Sequence, residues 1–170
     1  MSESVYCNVC KKCNGCQLSN LGYNDQLKYK QKQLGLRFNR LYKPERILPA
    51  PSPVEYRNKA QIVFKKDSKG KIRWGIYQSA EKGITLTENC PLHTKRANLV
   101  ANTLCNLFEK YGLSPFDFKR KKGFVRSVLI REGFSSGEML LLLVCSKASF
   151  KSEAEFCREI TKIHPYIKSI

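Results

Sequence analysis

The stretch "CNVCKKCNGC", residues 7–16, sets Cys7, Cys10, Cys13 and Cys16 at a fixed step of three. Far downstream, "ENCPLH" adds Cys90, followed by Pro91. Thiolates are ligands for soft metals. A structural zinc site usually draws on two C-x2-C knuckles separated by a loop, so that each supplies two corners of a tetrahedron. Here the two pairs are only two residues apart, which leaves little chain to bring the second knuckle round. Closely spaced thiolates wrap a cubane iron–sulfur cluster more readily, with a more distant cysteine, often before proline, closing the last corner. Spacing alone does not choose the ligands: Cys7, Cys10 and Cys13 serve with Cys90 as well as Cys10, Cys13 and Cys16 do. His93, three residues after Cys90, leaves a mixed Cys/His zinc site open. The plain alternative is a set of surface thiols without metal. Cys105, Cys145 and Cys157 fall in or beside apolar segments and read as small core residues.

The charge says what such a loop would serve. The 170 residues hold 31 Lys and Arg against 14 Asp and Glu, a formal charge of +17. Such a balance calls for a polyanion, of which nucleic acid is the commonest. The cations are spread over "KYKQKQLGLR", "YRNKAQ", "FKKDSKGKIR" and "FKRKKGFVR" rather than gathered in a tail, as on a folded surface that tracks phosphates. Arg57 and Lys59, beside Tyr56, and Arg73 on the facing strand are the expected RNA contacts. Trp74 is either a base-stacking platform or a core residue. No apolar run reaches the ~18 residues of a membrane span. The N-terminus lacks the basic start and apolar stretch of a signal peptide. A cytoplasmic, reducing setting is expected, which favours thiols over disulfides.

The elements that must position these residues follow from periodicity. Residues 1–22 form a cysteine-rich cluster loop. Residues 23–42 form a basic amphipathic helix, with Tyr23, Leu27, Leu34, Phe38 and Leu41 on the stripe that packs. Residues 43–56, rich in proline, form an extended connection. Residues 57–170 form an RNA-binding α+β domain. Its hairpins are "RNKAQIVFKK" with "KIRWGIY" around a turn at "DSKG", and "FVRSVLIRE" with "EMLLLLVCS". The second strand of the second hairpin reads as fully buried. A short strand near "GITLT" precedes Cys90, and a helix carrying Ala97, Val100, Leu104, Leu107 and Tyr111 follows Pro91. Ser152 and Glu155 form an S-x-x-E capping box for a last helix, which Pro165 stops. "PYIKSI" begins another extended segment. The expected class is α+β, an antiparallel sheet of hairpins flanked by helices.

"CNVCKKCNGCQLSNLGYNDQLKYKQ" resembles the cluster segment of the 23S rRNA (uracil-5-)-methyltransferase family. The matching positions are Cys7, Cys13, Gly15, Cys16, Gln17, Leu18, Gln26, Leu27, Lys30 and Gln31. Pro51-Ser52-Pro53, Tyr56-Arg57-Asn58-Lys59-Ala60-Gln61 and Cys90-Pro91 continue the likeness in order along the chain. The resemblance implies a [4Fe-4S] cluster on Cys7, Cys13, Cys16 and Cys90, with Cys10 in a spacer position. It implies 23S rRNA as the RNA partner and S-adenosylmethionine as methyl donor.

In the family, the cysteine nucleophile and the donor site lie in a C-terminal Rossmann-like domain. No Gly-rich strand–turn–helix for such a cofactor stands in these residues. We therefore expect no catalytic residue here, and a truncated chain ending at Ile170 without activity by itself. The N-terminal TRAM domain of many members is likewise expected to be missing. No protein partner is evident, and a monomer is expected. The competing class is a stand-alone iron–sulfur or zinc RNA-binding module with no enzymatic role. A ferredoxin-like electron carrier fits less well, for want of acidic character and a second cluster motif.

Overall fold

The computed structural model describes residues 7–13, 15–79 and 83–170. The chain divides into two compact units, Met1–Val54 and Glu55–Ile170.

In the first unit the cysteine loop is a series of tight turns. Cys10 N donates to Cys7 O, and Lys12 N and Cys13 N both donate to Val9 O. Helix α1 (Tyr23–Phe38) follows, with extended Gly22 before it and no side-chain cap. Asp25 in its first turn favours the helix N-terminus and pairs with Lys28 at 3.0 Å. The helix ends at Phe38, four residues short of the expected 42, and Leu41 bonds back to Phe38 in a turn. The expected stripe is accordingly shorter. Tyr23, Leu27 and Leu34 are half-buried, whereas Phe38 and Leu41 are exposed.

The Pro-rich segment is fastened to this helix by polar groups. Gln31 accepts from Ile47 N at 2.6 Å and donates to Glu45 O at 3.0 Å, while the Tyr23 hydroxyl accepts from Ala50 N at 2.6 Å. Segment and helix therefore run antiparallel. Eight helical residues and about four extended ones cover a similar ~12–13 Å, which is why the two sets of bonds stay in step.

The second unit is one sheet with two helices on one face. Its elements are β1 (Lys59–Lys66), β2 (Ile72–Ser79), β3 (Gly83–Leu86), α2 (Lys95–Lys110), β4 (Val125–Glu132), β5 (Met139–Cys145), α3 (Glu153–Ile163) and β6 (Ile167–Ser169). Strand order is β3-β2-β1-β4-β5-β6. The expected α+β class is borne out, and the hairpins β1–β2 and β4–β5 are antiparallel as expected. β6 departs from that pattern. It lies parallel to β5, because α3 carries the chain back across the sheet before the strand is added. Among the described residues no helix is long and apolar enough to cross a membrane.

Alternation sets the core. Ala60, Ile62 and Phe64 of β1, Trp74 of β2, Val128 and Ile130 of β4 and Met139 and Leu141 of β5 face Val100, Leu104 and Phe108 of α2 and Phe156 and Ile160 of α3. Phe64 meets Phe108 edge-on at 4.9 Å. Gly75 is required by a close approach: a Cβ there would lie 2.3 Å from the Thr85 carbonyl oxygen on β3.

Two further expectations need correction, and one open alternative is decided. The apolar run of β5 is not fully buried. Leu140, Leu142 and Val144 are 41%, 49% and 41% exposed, because no helix covers their side of the sheet among the described residues. Trp74 is a core residue, 1% exposed, with its indole N–H donated to Asn102 Oδ1. The Ser152–Glu155 capping box does not form. Ser152 has φ −116° and ψ 35°, outside the extended conformation of a capping residue, and Glu155 pairs with Arg158 instead.

Candidate metal-ligand and RNA-contact residues

Cys7, Cys10, Cys13 and Cys16 are all half-buried in the first unit, so exposure does not mark Cys10 out from the rest. Gly15 N–H donates to Cys13 Sγ at 3.4 Å, and a Cβ on residue 15 would stand only 3.3 Å from that sulfur. The glycine before Cys16 thus has a steric reason. Among the described residues no three His, Cys, Asp or Glu side chains converge as a metal site. The donor chemistry, four half-exposed thiols with one sulfur already served by an amide, fits thiolate ligation of iron.

Cys90 lies in the second unit, in the segment between β3 and α2, and is half-buried. The segment is tied on two sides. Glu55 N donates to Pro91 O and Arg57 N to Leu92 O, both at 2.9 Å, so "YRN" and "CPLH" run side by side with Arg57 opposite His93. On the other side the Asn98 side chain, 7% exposed in the first turns of α2, bonds both main-chain groups of Cys90. Thr94 caps that helix by accepting from Ala97 N, and its hydroxyl donates to the Glu132 carboxylate. The Asn98 contact has no precedent in the sequence reading. Its only trace there is an asparagine, a poor helix former, within an otherwise apolar helix face.

His93 is 3% exposed and stacks on Trp74 with ring centroids 6.1 Å apart. Burial, and then the neighbouring Arg57 charge, lower its pKa to about 4. It is therefore a neutral histidine packed in the core against Trp74. The folded pKa lies below the ordinary 6.5, so the unfolded chain takes up the proton first as pH drops. Stability is expected to be complete above pH 6.5 and to decline by about 3 kcal/mol as pH falls through 6.5 to 4. Urea unfolding across that window checks this, and His93→Gln should flatten the decline.

The remaining cysteines are poor ligands. Burial pushes the Cys105 thiol up to about 12, and Cys145 and Cys157 are raised by burial and then by the Glu153 charge.

The three expected RNA contacts fare differently. The Arg73 guanidinium is held by Asp67 at 3.3 Å and Glu88 at 3.1 Å. Arg57 is half-exposed at the start of the sheet. Lys59 is exposed on the side without helices and stands directly opposite Arg131 of β4, also exposed. Among the described residues neither has an acidic partner. Like charges directly opposite on a sheet destabilise it. Arg131 had no motif to announce it; only strand register brings it to Lys59.

No family model matches the chain. It is 29% identical over 160 residues to a protein of Clostridium tetani named an uncharacterized RNA methyltransferase, covering 92% of this chain and 35% of that one. Proteins of the same description from Bacillus anthracis and Bacillus cereus are each 30% identical, over 171 and 179 residues. They take in 96% and 99% of this chain and 37% and 39% of their own. The chain thus spans little more than a third of the length of the curated relatives it matches. The crystal structure of the Pyrococcus abyssi tRNA (uracil-54, C5)-methyltransferase in complex with S-adenosyl-L-homocysteine shares the fold. Its TM-score is 0.71 at 24% identity, with 85% of this chain and 34% of that one covered. In class, then, the chain is an α+β body similar to part of an RNA methyltransferase. The likeness to RNA methyltransferases read from its cysteine and Y-R-N-K-A-Q motifs is shared with these relatives, and the fold is shared with the Pyrococcus abyssi enzyme.

Proposed function

We propose that this chain is the iron–sulfur and RNA-binding portion of a uracil-C5 RNA methyltransferase that acts on 23S rRNA in the cytoplasm. Cys7, Cys13, Cys16 and Cys90 hold a [4Fe-4S] cluster in a structural rather than a redox role. S-adenosylmethionine supplies the methyl group in such a reaction. No step of that transfer is assigned to these residues. C5 methylation needs a nucleophile at C6 and a base for the C5 proton. The thiols of Cys105, Cys145 and Cys157 are raised in pKa, the reverse of an activated nucleophile.

What these residues do is bind and orient RNA. The observation that carries this is the cross-strand pair Lys59–Arg131, two exposed cations without an acid between them on a sheet surface. Phosphate is the chemistry that relieves such a pair, and arginine grips it with two parallel N–H bonds. Arg57 and Tyr56, at the same end of β1, extend the contact toward an unstacked base. Arg73 contributes less, since two carboxylates already hold it. Titration of transcribed 23S rRNA at rising salt tests the reading. Affinity should fall steeply as counterion release is lost, by about 0.7–0.9 log units per log unit of salt for each phosphate contacted. A flat response would remove the electrostatic basis of the proposal.

A further inference from the structure

Two asparagines of α2 deal with the segment that carries Cys90 in a regular way. Asn98 Oδ1 accepts from Cys90 N and Asn98 Nδ2 donates to Cys90 O, each at 3.0 Å. One turn further along, Asn102 Nδ2 donates to Glu88 O at 3.1 Å, while its Oδ1 accepts from the Trp74 indole. Residues four apart on a helix are about 6 Å apart along its axis, and residues two apart on an extended chain are about 6.6 Å apart. The two spacings nearly agree, so residues 90 and 88 are laid along the helix as on a short ladder.

The ladder singles out Cys90. Both of its main-chain groups are consumed by one buried amide, and His93 N adds a second bond to its carbonyl at 3.1 Å. Pro91 restricts the backbone of the residue before it. Thr87 Oγ1 closes the approach by accepting from Asn89 N and donating to Asn89 O. The backbone at Cys90 is thereby held at every neighbouring position, while its thiol stays half-exposed. A buried amide in a helix costs stability unless satisfied. Here it is satisfied by the main chain of a half-exposed cysteine.

We infer that Asn98 is a positioning residue for the Cys90 thiolate, holding the main chain of the fourth ligand so that the sulfur meets iron without a search over loop conformations. This inference rests on the cluster reading proposed above. Groups that orient a metal ligand from behind typically change metal affinity by about 10–100-fold when removed.

The test compares Asn98→Leu and Asn98→Asp with Asn102→Leu in the full chain after anaerobic reconstitution. Asn98→Asp keeps an acceptor for Cys90 N but sets an oxygen against the Cys90 carbonyl. Asn102→Leu removes an equivalent amide from the same helix without touching Cys90. Iron and sulfide per chain, visible absorbance and the rate of iron release to a chelator are measured, beside urea unfolding of each apo chain. The expected result is iron release about 10-fold faster in both Asn98 variants, and near the wild-type rate in Asn102→Leu at comparable loss of stability. Equal release from wild type and Asn98→Asp would overturn the inference while leaving the cluster reading intact. Release that tracks stability alike at positions 98 and 102 would also overturn it. A wild-type chain that takes up no iron overturns the cluster reading itself, and the inference with it.

Discussion

Replacing Cys90 with serine is expected to strip the chain of its iron, from about four atoms to fewer than one, while Cys10→Ser retains the full complement. Both thiols are half-buried, and Cys90 packs against the hydrophobic core of the second unit. The contrast must come from what surrounds them. Cys90 is fixed through its main chain by Asn98 and followed by Pro91, whereas among the described residues Cys10 makes a turn bond, its N–H to Cys7 O. A serine hydroxyl is a harder and far less acidic donor than a thiol, so it does not replace a thiolate on iron. It keeps the shape of the segment, and the unfolding midpoint of the apo chain should barely move. Cys7→Ser, Cys13→Ser and Cys16→Ser should each behave as Cys90→Ser does. Loss of iron in Cys10→Ser with retention in Cys7→Ser would mean that the register of ligands in the loop is wrong.

The second large effect is on RNA. Lys59→Gln with Arg131→Gln should weaken binding of 23S rRNA by about 100-fold, or about 2.8 kcal/mol at a factor of ten per 1.4 kcal/mol. It should also lower the slope of log affinity against log salt by about 1.5, two phosphates at roughly 0.7–0.9 each. The pair is suited to this test because its loss does not harm the fold. Removing two like charges from opposite positions on neighbouring strands relieves repulsion, so stability should hold or rise by a few tenths of a kcal/mol. Arg73→Gln is the matched comparison. Its guanidinium is shared between Asp67 and Glu88, and its removal should cost RNA affinity far less. Equal losses from the pair and from Arg73 would mean that net charge, not the Lys59–Arg131 pair, sets affinity.

Much of the fold was legible because its strands carry their own signals. Ala60, Ile62 and Phe64 fall at every second position of Lys59–Lys66, and the Asp67–Gly70 turn that follows is closed by Asp67 accepting from Lys69 N and Lys71 N. The four consecutive leucines or leucine-like residues of β5 carry no alternation. Which side of that strand lies open depends on where α2 and α3 pack, a fact of tertiary structure rather than of local pattern. The parallel addition of β6 was illegible for the same reason, since three residues hold too little pattern to state a direction. Ser152-x-x-Glu155 shows the opposite failure. The motif is present, but Ser152 adopts a backbone that denies it the capping role. In the candidate site, residue types and spacing gave the thiols. The pairing of "YRN" with "CPLH" and the meeting of Lys59 with Arg131 join residues 35 to 72 apart, and the Asn98 clamp, though only 8 residues from Cys90, reaches from a helix back to a loop, so no local motif announces any of them.

Central is the proposal that the chain carries both a cubane cluster and an RNA-binding surface. Iron, acid-labile sulfide and zinc counted together in anaerobically purified wild-type protein test it most directly. The account predicts a brown protein with about four irons and about four sulfides per chain and no stoichiometric zinc. A colourless protein holding one zinc, or no metal at all after reconstitution, would contradict it.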